Sequence, residues 1–151
     1  MSLNQDGGLK IDRNPPQELL TSESDNPNII GHGIEIVEIS YIEELIEQSP
    51  KPFEMQYFTL RERDTARFTA HPIQYLAGRF VAKKAVFTAL GQGWSQGISF
   101  LDIEVQRLPS GAPSVVLDGK CQKIAVTLGI SKWLLSISHT SFYAIASAIA
   151  I

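Results

Sequence analysis

Residues 73–90, IQYLAGRFVAKKAVFTAL, constrain this chain more than any other stretch. They form its longest run with helical spacing, and Pro72 can occupy the first turn of that helix. Ala77, Gly78, Ala82, Ala85 and Ala89 keep it thin, which predicts close packing against another element. GQGWSQG (91–97) then breaks the run with three glycines. In a chain of 151 residues, one such helix leaves room for one domain around it.

The flanking segments are short. GHGIEIVEI (31–39) alternates as a strand, with Ile34 and Ile36 on one parity and Glu35 and Val37 on the other. SYIEELIEQS (40–49) reads as a helix with Ser40 as N-cap, Glu43 completing a capping box, and Ile42, Leu45 and Ile46 on its apolar face. Pro50 and Pro52 end it. FTLRERDTARF (58–68) reads as a helix capped by Thr59. LDIEVQRL (101–108) and SVVLD (114–118) are strands about the turn PSGAP (109–113), followed by a helix over 119–130. WLLSISH (133–139) and FYAIASAIAI (142–151) pair across a turn at His139, Thr140 and Ser141. Helices interleaved with short antiparallel strands predict an α+β domain over 29–151. Residues 1–28 are polar, carry Pro15, Pro16 and Pro27, and read as an N-terminal extension.

A formal charge of −3 argues against a general nucleic-acid binder. The single cysteine, Cys121, excludes an internal disulfide framework and a thiolate zinc cluster, and it is assigned no role. No run reaches the roughly 18 apolar residues of a membrane span, and no signal peptide is recognised. The expectation is a soluble, cytoplasmic protein. Arg61, Arg63, Arg67, Arg79, Lys83 and Lys84 gather six of the thirteen basic residues against only Glu62 and Asp64. This suits a phosphorylated small molecule or an acidic partner, or equally a solvated helix face with ordinary ion pairs. His139, among Ser136, Ser138, Thr140 and Ser141, suits ligand contact or proton transfer, or a hydroxyl-capped turn. Glu35 in mid-strand needs a partner, a cavity or an exposed edge. Nothing marks a nucleophile elbow.

The order GHGIEIVEI, LAGRFVAKKAV, a strand pair about SGAP, and LSISHTSFYAIASAI resembles the holo-acyl-carrier-protein synthase family over about residues 29–150. These small phosphopantetheinyl transferases move 4′-phosphopantetheine from coenzyme A to a serine of acyl carrier protein. The resemblance implies a phosphopantetheinyl-transferase-like α+β domain with a long central helix. It implies a homotrimer with coenzyme A at the subunit interfaces, serving fatty acid or polyketide biosynthesis, with neither nucleic acid nor membrane as partner. Carried over, it places Arg79, Lys83, Thr88, Gly111, Pro113, His139 and Thr140 at coenzyme A. Glu35, Lys84 and His139 fall at the reacting groups.

Several matched positions depart from the family pattern. Its first-strand magnesium ligand is an aspartate, here Glu35. Its second ligand, a helix glutamate, is Lys84, and the lysine four residues further on is Thr88. The SGKP turn has Ala112 for its lysine, and the basic carrier-facing residue of the first helix is Tyr41. An ammonium has no lone pair for magnesium. Glu35 is therefore the implied metal ligand that survives, and a Glu35–Lys84 charge pair is expected. Two readings follow: a phosphopantetheinyl transferase, conventional or altered, or a coenzyme A-binding regulatory module that has lost the reaction. Glu43, Glu44 and Glu47 would repel an acidic carrier, leaving a carrier of different charge or docking at Arg61, Arg63 and Arg67.

Overall fold

A computed structural model describes residues 28–91 and 97–151. The expected extension therefore lies outside the described residues except for Asn28, as does the middle of GQGWSQG. The elements are β1 (Gly31–Glu38), α1 (Ile39–Gln48), α2 (Pro50–Tyr57), α3 (Leu60–Phe68) and α4 (Pro72–Ala89). A 3-10 turn (Phe100–Asp102) leads to β2 (Ile103–Arg107), β3 (Pro113–Leu117), α5 (Gly119–Thr127), β4 (Trp133–His139) and β5 (Tyr143–Ala150). The strands make an antiparallel sheet of order β1-β5-β4 and a separate β2–β3 hairpin. The domain is α+β, as the sequence predicts.

Of the residues of α4, twelve are buried, so it is the central element and not a surface helix. It packs against β5, whose buried parity is Ala144, Ala146, Ala148 and Ala150. Strand β1 comes closer still. A Cβ at Gly33 would lie 2.0 Å from the Ala85 carbonyl oxygen, and one at Gly31 would lie 1.9 Å from that of Ala89. Backbone touches backbone there, which only glycine permits. On the other flank, Phe53, Tyr57, Phe58, Phe80, Phe87 and Phe100 form an aromatic cluster, with Phe80 stacked on Phe100 at 5.4 Å.

Helix α1 begins at Ile39 with Glu38 as N-cap, two residues before the expected Ser40, and no side chain caps it. Ser40 instead donates to Glu38 at 3.5 Å, a distance at the limit of a hydrogen bond. The reason is tertiary: the Ile39 N–H donates to the carbonyl of Phe142, the residue before β5, at 2.8 Å, which satisfies that helix donor. Helix α2 was not expected. Helix α1 does end at Gln48, just ahead of Pro50, as expected, but Pro50 and Pro52 also open α2, in the first turn where proline costs no hydrogen bond. Thr59 caps α3 as expected, and Glu62 completes a capping box there that was not foreseen. Helix α5 ends at Thr127 with Leu128 as C-cap, and the expected stop at Gly129 follows with φ of 75°.

Ile34 and Ile36 point outward, 60% and 59% exposed, while Gly33, Glu35 and Val37 face α4. They share the sheet's outer face with Ile145 and Leu134. Several adjoining exposed apolar side chains are a signature of an interface. Substituting Gly33→Ala should push β1 off α4 and lower stability by about 2–3 kcal/mol, the scale of core overpacking. Urea unfolding measures it, and an unchanged midpoint would contradict the backbone contact.

Candidate functional site

Lys83 was expected at a phosphate. It is 0% exposed, and its ammonium donates to Glu62 Oε1 at 2.6 Å, to the Tyr57 carbonyl at 2.8 Å and to the Phe100 carbonyl at 3.1 Å. Three acceptors use all three donors of the ammonium. Glu62, 1% exposed, accepts in turn from the N–H of Thr59 at 2.9 Å and of Val105 at 3.0 Å. Burial pushes the Lys83 ammonium below the ordinary lysine range, and Glu62 opposes that fall. Lys83 is thus saturated by the protein's own acceptors and lies outside any anion-binding surface.

Arg79, one turn earlier on α4, behaves differently. It is 7% exposed, its guanidinium lies over the Tyr75 ring at 4.2 Å, and its Nε is buried without a partner. It lines two adjoining hollows that share Thr69, Tyr75 and Arg107 and so make one cleft. Gly111, Pro113 and His139, placed at coenzyme A by the resemblance, line the second hollow. Gly111 sits at φ of 88° in the β2–β3 turn, a conformation that holds the turn tight beside the cleft. Arg61 lines the first hollow but pairs with Glu104 at 3.7 Å. Burial would raise the Glu104 carboxyl, yet hydrogen bonds from Gln106 and Thr59 and the Arg61 charge outweigh it and hold it low.

Sequence reasoning missed Arg107 and Tyr75. Arg107 ends β2 opposite Pro113 and faces both hollows. Strand pairing places it there, beside the turn that lacks the family lysine. Tyr75 was legible in principle, since an aromatic four residues before an arginine shares its helix face. Thr140 accepts from the N–H groups of Phe142 and Tyr143, both at 3.1 Å, so its hydroxyl closes the β4–β5 turn. Burial pushes the Cys121 thiol up to about 12, with Asp102 adding to the rise, which leaves it unreactive. Arg67 pairs with Asp64 at 3.5 Å, an ordinary exposed pair on the basic stretch.

Glu35, Lys84 and Thr88 gather elsewhere. Glu35 Oε2 lies 3.8 Å from the Lys84 ammonium, and its Oε1 accepts from the Thr88 hydroxyl at 2.8 Å. Strand β1 is one edge of the sheet and β4, with His139, is the other. On α4, Lys84 lies five residues past Arg79, about 140° around the helix axis. The two groups of expected residues therefore face different sides of one protomer. The magnesium ion that the resemblance implies needs about six oxygen ligands in near-octahedral order. One carboxylate already engaged by a hydroxyl and an ammonium does not fit that ion. No group of three His, Cys, Asp or Glu suited to a metal occurs among the described residues.

A buried central helix that presents an arginine with an unpartnered Nε to a cleft also lined by Arg107 suits an anionic ligand. The family model of the 4′-phosphopantetheinyl transferase superfamily matches residues 31–146, and the chain belongs to that superfamily. It is 43% identical over 119 residues to a holo-[acyl-carrier-protein] synthase of Caldanaerobacter subterraneus, covering 79% of this chain and 92% of the relative. It is 38% identical over 121 residues to the protein of that name from Koribacter versatilis, covering 80% and 97%. Among solved structures, the holo-[acyl-carrier-protein] synthase of Neisseria meningitidis superposes with a TM-score of 0.77 at 29% identity, covering 82% of this chain and 99% of that one. The Helicobacter pylori synthase in complex with coenzyme A gives 0.70 at 28% identity, covering 80% and 99%.

If Lys83 is structural, Glu62→Gln should cost about 3–5 kcal/mol by stranding a buried charge. The double variant Glu62→Leu/Lys83→Met should lose less than either single change, since it leaves no charge buried alone. Chemical denaturation of the set decides this.

Proposed function

We propose that the chain transfers 4′-phosphopantetheine from coenzyme A to a serine of an acyl carrier protein, working as a homotrimer in the cytoplasm. The observation that carries this is Arg79: a buried guanidinium braced on Tyr75, with Nε unpartnered, opening into a cleft with Arg107 and His139. Such a group is pre-organised for an oxyanion and costs little to orient on binding. Superfamily membership makes coenzyme A, with its phosphates, the anion that fits.

In the reaction, the carrier serine oxygen attacks the phosphorus that bears pantetheine. A new serine O–P bond forms, the P–O bond to 3′,5′-ADP breaks, and the hydroxyl proton is released. Arg79 and Arg107 hold phosphate charge on the departing nucleotide, and the imidazole of His139 borders the same cleft. The reaction also needs positive charge at the pyrophosphate, which falls to the Glu35–Lys84–Thr88 cluster. That cluster and the cleft face different sides of one protomer, so a complete site takes each half from a neighbouring copy. The exposed apolar sheet face carrying Ile34, Ile36 and Ile145 supports such an assembly.

Tyr41, Glu43, Glu44 and Glu47 are exposed on α1, which carries no basic residue. A carrier docking there is one whose contact surface is not itself acidic. No helix among the described residues is long and apolar enough to cross a membrane.

Incubation with coenzyme A and an apo carrier protein, read by intact mass, should yield carrier heavier by one phosphopantetheine. Arg79→Ala should slow this by roughly tenfold to a hundredfold, the scale of one hydrogen bond to a charged group. Unmodified carrier, with coenzyme A still bound tightly, would favour the binding-module reading instead, which the engaged Glu35 carboxylate also suits.

A further inference from the structure

Two adjacent lysines on α4 have opposite fates. Lys83 meets its carboxylate at 2.6 Å and donates to two carbonyls besides. Lys84 lies 3.8 Å from Glu35, longer than the roughly 2.7–2.9 Å of a charge-assisted hydrogen bond. Both Lys84 and Glu35 keep partial exposure, 29% and 27%. The Lys84 ammonium is held near a counter-charge without being saturated, so it keeps donors for an incoming oxyanion.

Its position is set by backbone and not by side-chain reach. Gly33 lies against the Ala85 carbonyl, and Glu35 follows two residues later on the α4-facing parity of β1. Lys84 and Thr88 flank Ala85 on the helix. The Thr88 hydroxyl fixes one Glu35 oxygen at 2.8 Å and so turns the other toward Lys84. The Phe80 ring, 5.9 Å from the ammonium, borders it on the helix side.

We propose that Lys84 is a fixed cation of the coenzyme A site. Its ammonium, seated by Glu35 and Thr88, faces the pyrophosphate where the resemblance implies magnesium, and the chain binds coenzyme A without a divalent ion. The inference rests on the coenzyme A reading above. It differs from a vacant metal site in one respect: the charge is covalently part of the protein, so chelators do not remove it.

Titration calorimetry with coenzyme A, in magnesium and in EDTA, tests the proposal on the full chain. Wild-type affinity should agree between the two buffers within about twofold, a shift under one hydrogen bond in energy. Lys84→Met should weaken binding by roughly tenfold to a hundredfold in both buffers. Lys84→Glu puts two carboxylates side by side, so it should bind poorly in EDTA and regain affinity with magnesium. Thermal unfolding checks that the variants fold; this partly exposed pair should tolerate both changes. A wild-type affinity that collapses in EDTA overturns the fixed-cation proposal while leaving the coenzyme A reading intact. Absence of binding in either buffer overturns both. Manganese titration of the protein alone, read by electron paramagnetic resonance, adds a check without coenzyme A. Wild type should leave the free-ion signal unchanged and Lys84→Glu should diminish it; uptake by wild type would again overturn the proposal.

Discussion

The buried Lys83–Glu62 pair organises the rest of the molecule. Through two side chains it joins α4 to α3, to the end of α2, to the 3-10 turn and to β2. Desolvating two charges is costly, and this pair is offset by a nearly complete set of backbone partners. It therefore fixes the rotation of α4 more tightly than apolar contacts could, since each hydrogen bond is directional. That rotation has functional consequences in both directions along the helix. One turn back, Arg79 is aimed into the basic cleft. One residue on, Lys84 is turned toward β1.

Much of this was legible in the chain. The long helix, the Thr59 N-cap and the β4–β5 pairing were all visible, because each rests on local periodicity or on short-range hydrogen bonds. The Glu35–Lys84 pair was expected and the distance of 3.8 Å agrees with it. What local pattern could not show was which lysine of the adjacent pair would be consumed. Lys83 and Glu62 lie far apart in sequence, and only the packing of α3 on α4 brings them together. Helix α2 was lost to a rule about proline that holds inside helices but not in their first turn. Arg107 was missed because its place depends on strand register. Ile34 and Ile36 kept the expected alternation, yet alternation does not say which parity of a strand is buried against the helix and which is left exposed.

The site follows from these placements. Fixed cations occupy both halves: a buried arginine at the cleft and a tethered ammonium on the β1 side. Neither half alone surrounds a ligand that carries both a nucleotide phosphate and a pyrophosphate. In the proposed assembly each protomer offers two partial surfaces, and the exposed apolar outer face of the sheet is the surface proposed to join them. Function on this account is a property of the assembly, with the fold of each chain serving to hold its two halves at a set angle.

The most direct test is complementation between two defective variants, Arg79→Ala and Lys84→Met, whose lesions lie in different halves. Each alone should bind coenzyme A poorly. Co-expressed and co-purified, they should regain a fraction of tight sites, because some interfaces then pair an intact Arg79 from one copy with an intact Lys84 from another. Mixed assemblies that bind no better than the average of their parents would show that both halves act within one chain, and would contradict the account.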